Sequence, residues 1–337
     1  MPIFKIVKEH PLKFLISIAV SLALVYYSFK DLEWEPFWVA VRSINYWILM
    51  AGAFVLIFSN VIRAARWRIL LSPQKTVGRK HLFEAVMIGY MGNNVLPFKL
   101  GEVLRAVVVA KRHGMKVSGV GASIFVERGL DMFSFLILAG IYGLLVPSFE
   151  TAKLLSLLGL FALLMVIILG FWVNSQHDRF KRYVEIWSEK MIVTGHPKRA
   201  AHLMSIFKGL ETIWRMPKPL HVIVQTSFLW FLYLLVTILG LAAFDFNLSM
   251  SELWEVSLVL LIFTTLSLAI PAAPGYVGTY HSAVLAALMI FNIEDNQARA
   301  FAIVLHLMNY LIYTPIGAWY LVKAGLTLDL ASNTPEE

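Results

Sequence analysis

The chain has no cysteine. Disulfides, thiolate metal ligands and thiol nucleophiles are therefore excluded, and no clue to a redox compartment follows. Charge is also scarce: Asp, Glu, Lys and Arg make up 15% of 337 residues, against about 25% in an ordinary soluble domain. The phosphate loop Gly-x-x-x-x-Gly-Lys-[Ser/Thr], the zinc motif His-Glu-x-x-His and the nucleotide-sugar motif Asp-x-Asp are all missing. ATP hydrolysis by this chain is thereby excluded, and soluble-type metal chemistry has no foothold. No catalytic residue, metal or cofactor is called for.

What is present is apolar. Hydrophobic residues are 59% of the chain and mean hydropathy is +0.72. They fall into runs of about 20 residues, enough to carry a helix across about 30 Å of hydrocarbon. The expected fold is an all-α integral membrane protein forming a single polytopic domain over residues 1–337. Six full spans are predicted: Phe14–Phe29, Ile44–Ile62, Ser118–Val146, Leu154–Val173, His221–Phe244 and Ala298–Val322. The first resembles a signal peptide but lacks a small-x-small cleavage site, so it is read as a retained anchor. The second ends in the basic stretch Arg63–Arg68, expected to snorkel to cytoplasmic headgroups.

Two apolar stretches do not read as clean spans. Leu82–Arg112 is interrupted by Asn93, Asn94, Pro97, Lys99, Gly101, Glu102 and Arg105; Trp254–Asn292 is interrupted by Pro271, Pro274, Gly275 and Gly278. Proline removes a backbone donor, and irregular backbone survives at membrane depth only where protein or water surrounds it. Each stretch is therefore expected to be a re-entrant helical hairpin. In this layout 22 of the 29 Lys and Arg residues fall on one side, which places both termini in the cytoplasm. The +8 net charge is thus accounted for by membrane sidedness rather than a nucleic-acid partner.

Residues 44–146 and 221–322 then become inverted-topology repeats of span, hairpin and span, with residues 174–219 a cytoplasmic amphipathic segment. The hairpins share an echo, Leu96-Pro97-x-x-x-Gly101 and Ala273-Pro274-x-x-x-Gly278. Gly/Pro-interrupted segments at matching places in two halves point to a transporter binding site near the midplane; the bland alternative is a pair of packed loops in a structural bundle.

Gly92-Asn93-Asn94-Val95-Leu96-Pro97-Phe98-Lys99-Leu100-Gly101-Glu102-Val103-Leu104-Arg105-Ala106, Glu127-Arg128-x-x-Asp131 and Pro271-x-x-Pro274-Gly275-x-x-Gly278-Thr279 stand in this order along the chain. Together they resemble the lysylphosphatidylglycerol synthase transmembrane-region family, flippase-like proteins and the flippase half of aminoacyl-phosphatidylglycerol synthetases. The resemblance implies a stand-alone member without the synthetase domain, in a bacterial or archaeal plasma membrane. One departure stands out: family members often carry Glu shortly after the second Gly motif, where this chain has Tyr280-His281-Ser282.

Charged residues at membrane depth must find partners or a wet cavity. Lys99, Glu102 and Arg105 follow an i, i+3, i+6 spacing on one helical face. Glu127 and Asp131, at i, i+4, form a like-charge pair for which Arg105 is the expected partner. In the functional account Arg66, Lys99, Arg105 and Arg128 bind a lipid phosphate. Glu102 orients these cations at the headgroup site, to which Gly101 also belongs; Asn93, Asn94 and the backbone freed at Pro97 add hydrogen bonds, while Glu127, Asp131, His281 and His306 serve as network or proton-coupling groups. Pro271, Pro274, Gly275, Gly278 and Thr279 supply the second hairpin's backbone. The structural account is a neutralising network pinning the first hairpin to the next span. His306, Asn309, Tyr310 and Tyr313 make a polar stripe on the last span. In the stretch 174–219, Phe180, Tyr183, Val184, Trp187 and Met191 form one amphipathic pattern and Leu203, Ile206, Phe207, Leu210 and Trp214 another. Both read as helices in the headgroup plane or as a cytosolic hairpin.

The function expected is translocation of a phospholipid or polyprenyl-phosphate-linked lipid between the two hairpins. The alternative is a membrane-embedded or accessory subunit of a lipid-linked glycosyl, phosphoryl or aminoacyl-lipid transferase. Partners are the lipid substrate and, in the alternative, a lipid-modifying enzyme.

Overall fold

The computed structural model describes residues 22–96, 99–145, 175–197, 218–244, 246–269 and 274–325, with single positions at 19, 157, 161, 164 and 168 and between 199 and 207. Among the described residues there is no strand; the protein is all-helical. After helical residues 22–29 come α1 (Trp34–Arg42), α2 (Tyr46–Leu71), α3 (Arg79–Val95), α4 (Leu100–His113), α5 (Val117–Leu145), α6 (His177–Val193), α7 (Pro219–Phe244) and α8 (Met250–Ala269). A 3-10 turn (Pro274–Tyr276), α9 (Thr279–Met289) and α10 (Asp295–Lys323) complete the series.

Four described helices are long and apolar enough to cross a membrane: Tyr46–Leu71, Pro219–Phe244, Met250–Leu268 and Asp295–Lys323. α5 is also 29 residues long but carries Glu127, Arg128 and Asp131 in its middle. The span expected at 14–29 is described at 19 and as helix over 22–29, whereas the span expected at 154–173, the second amphipathic pattern around 203–214, and Pro97 and Pro271 lie largely or wholly outside the described residues.

Two elements differ from expectation. α2 does not stop at Ile62 but runs to Leu71. Arg63 and Arg66 are buried in protein, at 3% and 0% exposure, and do not snorkel. The carboxylates of α5 provide the compensation that headgroups would have supplied. α8 is an uninterrupted 20-residue helix, longer than the short arm of a dipping hairpin needs, because its first breaker, Pro271, lies beyond its end.

The chain divides into two compact units. The first comprises residues 1–62, 83–105 and 229–333. Part of its core is built on Leu56 of α2, Met87 of α3 and Tyr313 of α10, with Phe83, Tyr90, Val236, Met308, Ile312, Ile316 and Tyr320 packed around them. The N-terminus of α10 is capped by Glu294, whose carboxylate accepts from Asn296 N and Gln297 N. One turn later the buried Arg299 donates to the carbonyls of Ser28 and Asp31, satisfying acceptors at the end of helical residues 22–29 that the helix cannot satisfy itself.

The second unit comprises residues 63–82, 106–228 and 334–337. Its interior holds Trp67, Leu70, Leu71, Leu82, Val107 and Val120, each at 0–1% exposure. Trp67 Nε1 donates to Ser123 Oγ at 3.0 Å, which removes the cost of burying the indole N–H.

Candidate functional site

In the first unit the two helix interruptions meet. α3 ends at Val95 and α4 begins at Leu100; between them Lys99 adopts φ 56°. Beyond α8, Gly275, Tyr276 and Gly278 have φ 69°, 58° and 91°. Left-handed backbone is costly for a residue with a Cβ, so Lys99 and Tyr276 are held there by their surroundings. Each is the second residue after the proline of its Pro-x-x-x-Gly motif. Lys99 Nζ donates to the Leu268 carbonyl at the end of α8 and lies 6.0 Å from the centroid of the Tyr276 ring. At Gly275 a side chain would be in tight contact with Tyr310 and with the Asn94 carbonyl.

The first interruption is tight as well. A Cβ on Gly101 would collide with the Gly89 carbonyl and lie 2.5 Å from Asn93 N and Oδ1, so only glycine lets α4 fold back this closely on α3. Asn93 is buried at 8% exposure, and among the described residues its Oδ1 has no hydrogen-bond partner. A buried unsatisfied acceptor costs about 1–3 kcal/mol unless a ligand or water meets it. Asn94 Nδ2 donates to Thr314 Oγ1 at 3.0 Å.

The second interruption is braced by imidazoles. His281 Nδ1 accepts from Gly278 N at 3.3 Å, capping α9. His306 Nε2 meets the Gly275 carbonyl at 2.7 Å, so that nitrogen carries the hydrogen. The two rings are 4.7 Å apart, Tyr280 stacks on His306, and Phe29 meets His281 edge-on. Thr279 Oγ1 donates to the Tyr276 carbonyl. The polar stripe of α10 thus faces protein as expected: His306 and Tyr310 approach Gly275, while Tyr313 stacks on Tyr90 at 4.4 Å and accepts from Asn60 Nδ2. Asn309 turns back onto the Leu305 carbonyl.

The second unit contains the ion-pair network. Arg63 donates to Glu127 Oε1 at 2.8 Å and to Asp131 Oδ2 at 3.0 Å. Arg66 donates to Asp131 Oδ1 at 2.6 Å and to Thr226 Oγ1 at 3.1 Å, and lies 3.8 Å from Glu127. Arg128 Nη1 is 3.6 Å from Asp131 Oδ2. Arg63 and Arg66, one turn apart on α2, thus bridge Glu127 and Asp131, one turn apart on α5, and relieve the like-charge pair.

Three site assignments shift as a result. Arg63, taken for a headgroup contact, is a central member of the network; its spacing of three from Arg66, just before an inward-facing Trp67, is the signal for it. Arg66 is fully buried and paired with α5. Lys99 does not join a stripe with Glu102 and Arg105, because its left-handed backbone takes it off α4; Arg105 Nη1 lies 3.6 Å from Glu102 Oε2. No group of three or more His, Cys, Asp or Glu able to hold a metal occurs among the described residues.

Comparison with known proteins finds membrane-protein relatives. The family model described as the lysylphosphatidylglycerol synthase TM region matches residues 14–317. A UPF0104 membrane protein of Methanothermobacter thermautotrophicus is 25% identical over 298 residues, covering 84% of each chain. A second, from Methanocaldococcus jannaschii, is 28% identical over 245 residues, covering 69% of this chain and 95% of its own. No solved structure matches.

Proposed function

We propose that this chain, an integral membrane protein that belongs to the lysylphosphatidylglycerol synthase TM region family, is a lipid translocase rather than an enzyme. It moves the polar headgroup of an anionic phospholipid or polyprenyl-phosphate lipid past the two interrupted helix pairs, while the tails stay in the bilayer. The observation that carries this reading is the meeting of the two interruptions, Lys99 against Leu268 and Tyr276, and Gly275 beside Asn94. Broken helices that meet within a membrane protein expose backbone donors and acceptors where an intact helix would hide them, and transporters place substrates at such breaks.

The chemistry suits a phosphate-bearing headgroup with neutral polar groups. Lys99 offers a cation beside the breaks, Asn93 Oδ1 an unpaired acceptor for a hydroxyl or ammonium donor, and the Gly275–Gly278 turn a run of backbone polar groups. Matched left-handed residues in matched motifs support an inverted repeat of residues 44–146 and 221–322 around the two breaks, while both termini in the cytoplasm of a plasma membrane rest on the one-sided distribution of Lys and Arg. The Arg63–Arg66–Glu127–Asp131 network acts as scaffold.

The test is translocation of fluorescent phosphatidylglycerol in proteoliposomes, read by loss of signal to a membrane-impermeant quencher, with a polyprenyl-phosphate analogue alongside. Faster quenching than in protein-free vesicles, lost in Lys99→Gln, is expected. A chemically altered lipid recovered from the same vesicles, with unaltered lipid static, would replace translocation with headgroup transfer.

A further inference from the structure

α6 presents a face that is exposed among the described residues of its unit. Tyr183, Ile186, Trp187 and Val193 are 52–87% exposed, far more than large apolar side chains on a helix packed into a bundle. At about 100° per residue they share one arc with Arg179, Arg182 and Lys190, all exposed. The Lys190 ammonium lies 5.8 Å from the Trp187 ring. Val184, Ser188 and Met191, the half-buried or buried positions, occupy the protein side. The acidic residues Asp178, Glu185 and Glu189 lie on an adjoining exposed strip, which also carries Lys181 and Ile192.

This sorting into three strips carries the inference. A helix merely solvated in the cytosol has no reason to gather Tyr183, Ile186, Trp187 and Val193 with three of its four Lys and Arg residues on one exposed arc. A helix lying in the headgroup layer does: Trp and Tyr favour the interface, aliphatic tips enter the acyl boundary, cations reach phosphates, and carboxylates point away from them. The charge sign of the arc selects among lipid surfaces, since juxtamembrane cations are drawn to anionic leaflets. The chain is already anchored by its spans, so this helix need not supply the membrane affinity; it sets how the second unit meets the leaflet beside it.

We propose that α6 is an interfacial helix that docks the Tyr183–Ile186–Trp187–Val193 face onto an anionic leaflet, with Arg179, Arg182 and Lys190 on lipid phosphates. The partner is the bulk lipid surface, not the transported molecule, and the proposal stands whether or not the protein translocates lipid.

Absence of cysteine makes the experiment clean. Ile186→Cys, Val193→Cys and, as the outward control, Glu189→Cys are spin-labelled singly in the full-length protein. Each is reconstituted in phosphatidylcholine and in phosphatidylcholine–phosphatidylglycerol vesicles, and collisions with oxygen and with a water-soluble nickel chelate are compared. In the anionic vesicles the labels at 186 and 193 should favour oxygen over nickel several-fold more than the label at 189. That preference should weaken in pure phosphatidylcholine and in the R179E/R182E/K190E background. Equal nickel access at all three positions would overturn the proposal in favour of a solvated helix. Shielding of 186 and 193 from both reagents would overturn it in favour of a protein partner or a second copy. A preference unaffected by phosphatidylglycerol and by the charge reversal would overturn the anionic selectivity.

Discussion

Lys99 and Tyr276 stand at the same place in two copies of a Pro-x-x-x-Gly motif, both have left-handed backbone (φ 56° and 58°), and the ammonium of one lies 6.0 Å from the ring of the other. Neither side chain earns its conformation locally. Strain of this kind persists where the surrounding structure over-determines it and concentrates at functional sites. Here it lies where two helix interruptions meet, so the strained residues and the freed backbone are in one place.

Lys99 therefore has separable backbone and side-chain roles. Lys99→Gly should keep the protein folded and as heat-stable as the parent, because glycine adopts positive φ freely, yet translocation should fall. Lys99→Val should also lose translocation and be less stable than Lys99→Gly by about 1–2 kcal/mol, the cost of left-handed backbone for a residue with a Cβ, which the parent lysine already bears. Thermal unfolding of both variants in detergent, paired with the quencher assay, separates the two. Full transport by Lys99→Gly would remove the side chain from the mechanism.

The ion-pair network makes the opposite prediction. Arg63, Arg66 and Glu127 are 0–3% exposed, and removing one partner of a buried pair typically costs about 3–5 kcal/mol because the other charge is left uncompensated. Glu127→Ala should destabilise the protein on that scale and reduce yield. Double replacement of Arg63 and Glu127 by Met should recover much of the loss, since a well-packed apolar pair is often no worse than a buried ion pair. Denaturation midpoints of the single and double variants give the coupling directly.

How much of this was legible in the sequence follows from what each signal depends on. The membrane class, the interruption of the helices around Pro97 and Pro274, and the inward orientation of the α10 stripe rest on chain-local chemistry: run length, missing backbone donors and helical period. The partners of Glu127 and Asp131 were not legible. Which cation neutralises a buried carboxylate is decided by the register of two helices some 60 residues apart, and the i, i+4 spacing says only that a cation is needed. Arg63 was hidden by its surroundings, because Arg63–Arg68 has the composition of a snorkelling stretch and only the fold shows α2 continuing inward past it. Lys99 left its stripe because one residue of positive φ, which side-chain spacing does not encode, rotates it off α4.

Close approach at the first interruption gives a prediction about shape alone. Gly101→Ala adds one methyl group where the Gly89 carbonyl and Asn93 already sit, so α4 must move away from α3. We expect lowered thermal stability and loss of translocation together. Gly114→Ala is a useful contrast: a Cβ there meets nothing within 4 Å, but the site has φ 62°, so its cost should be limited to backbone strain of about 1–2 kcal/mol. A Gly101→Ala protein as stable as the parent would mean that α3 and α4 are less closely packed than described.

The last prediction concerns pH and His113, at the end of α4 and outside the candidate spans. Burial holds its pKa below the ordinary 6.5, with further lowering from His81, Arg112 and Lys75. The His81 ring is 5.2 Å away, and Lys75 Nζ donates to the His113 carbonyl at 2.6 Å. With the folded-state pKa depressed, the unfolded chain binds more protons between the two values, so stability rises with pH across that window. The contribution is fully present above about 6.5, the unfolded value, and is lost as pH falls toward the folded value, below which both states are protonated. In detergent, the unfolding temperature of the parent protein should therefore drop between pH 7.5 and pH 5 by more than that of His113→Asn, in which this group cannot titrate. Equal drops in the two proteins would assign the acid sensitivity to other groups and leave His113 neutral only as a bystander.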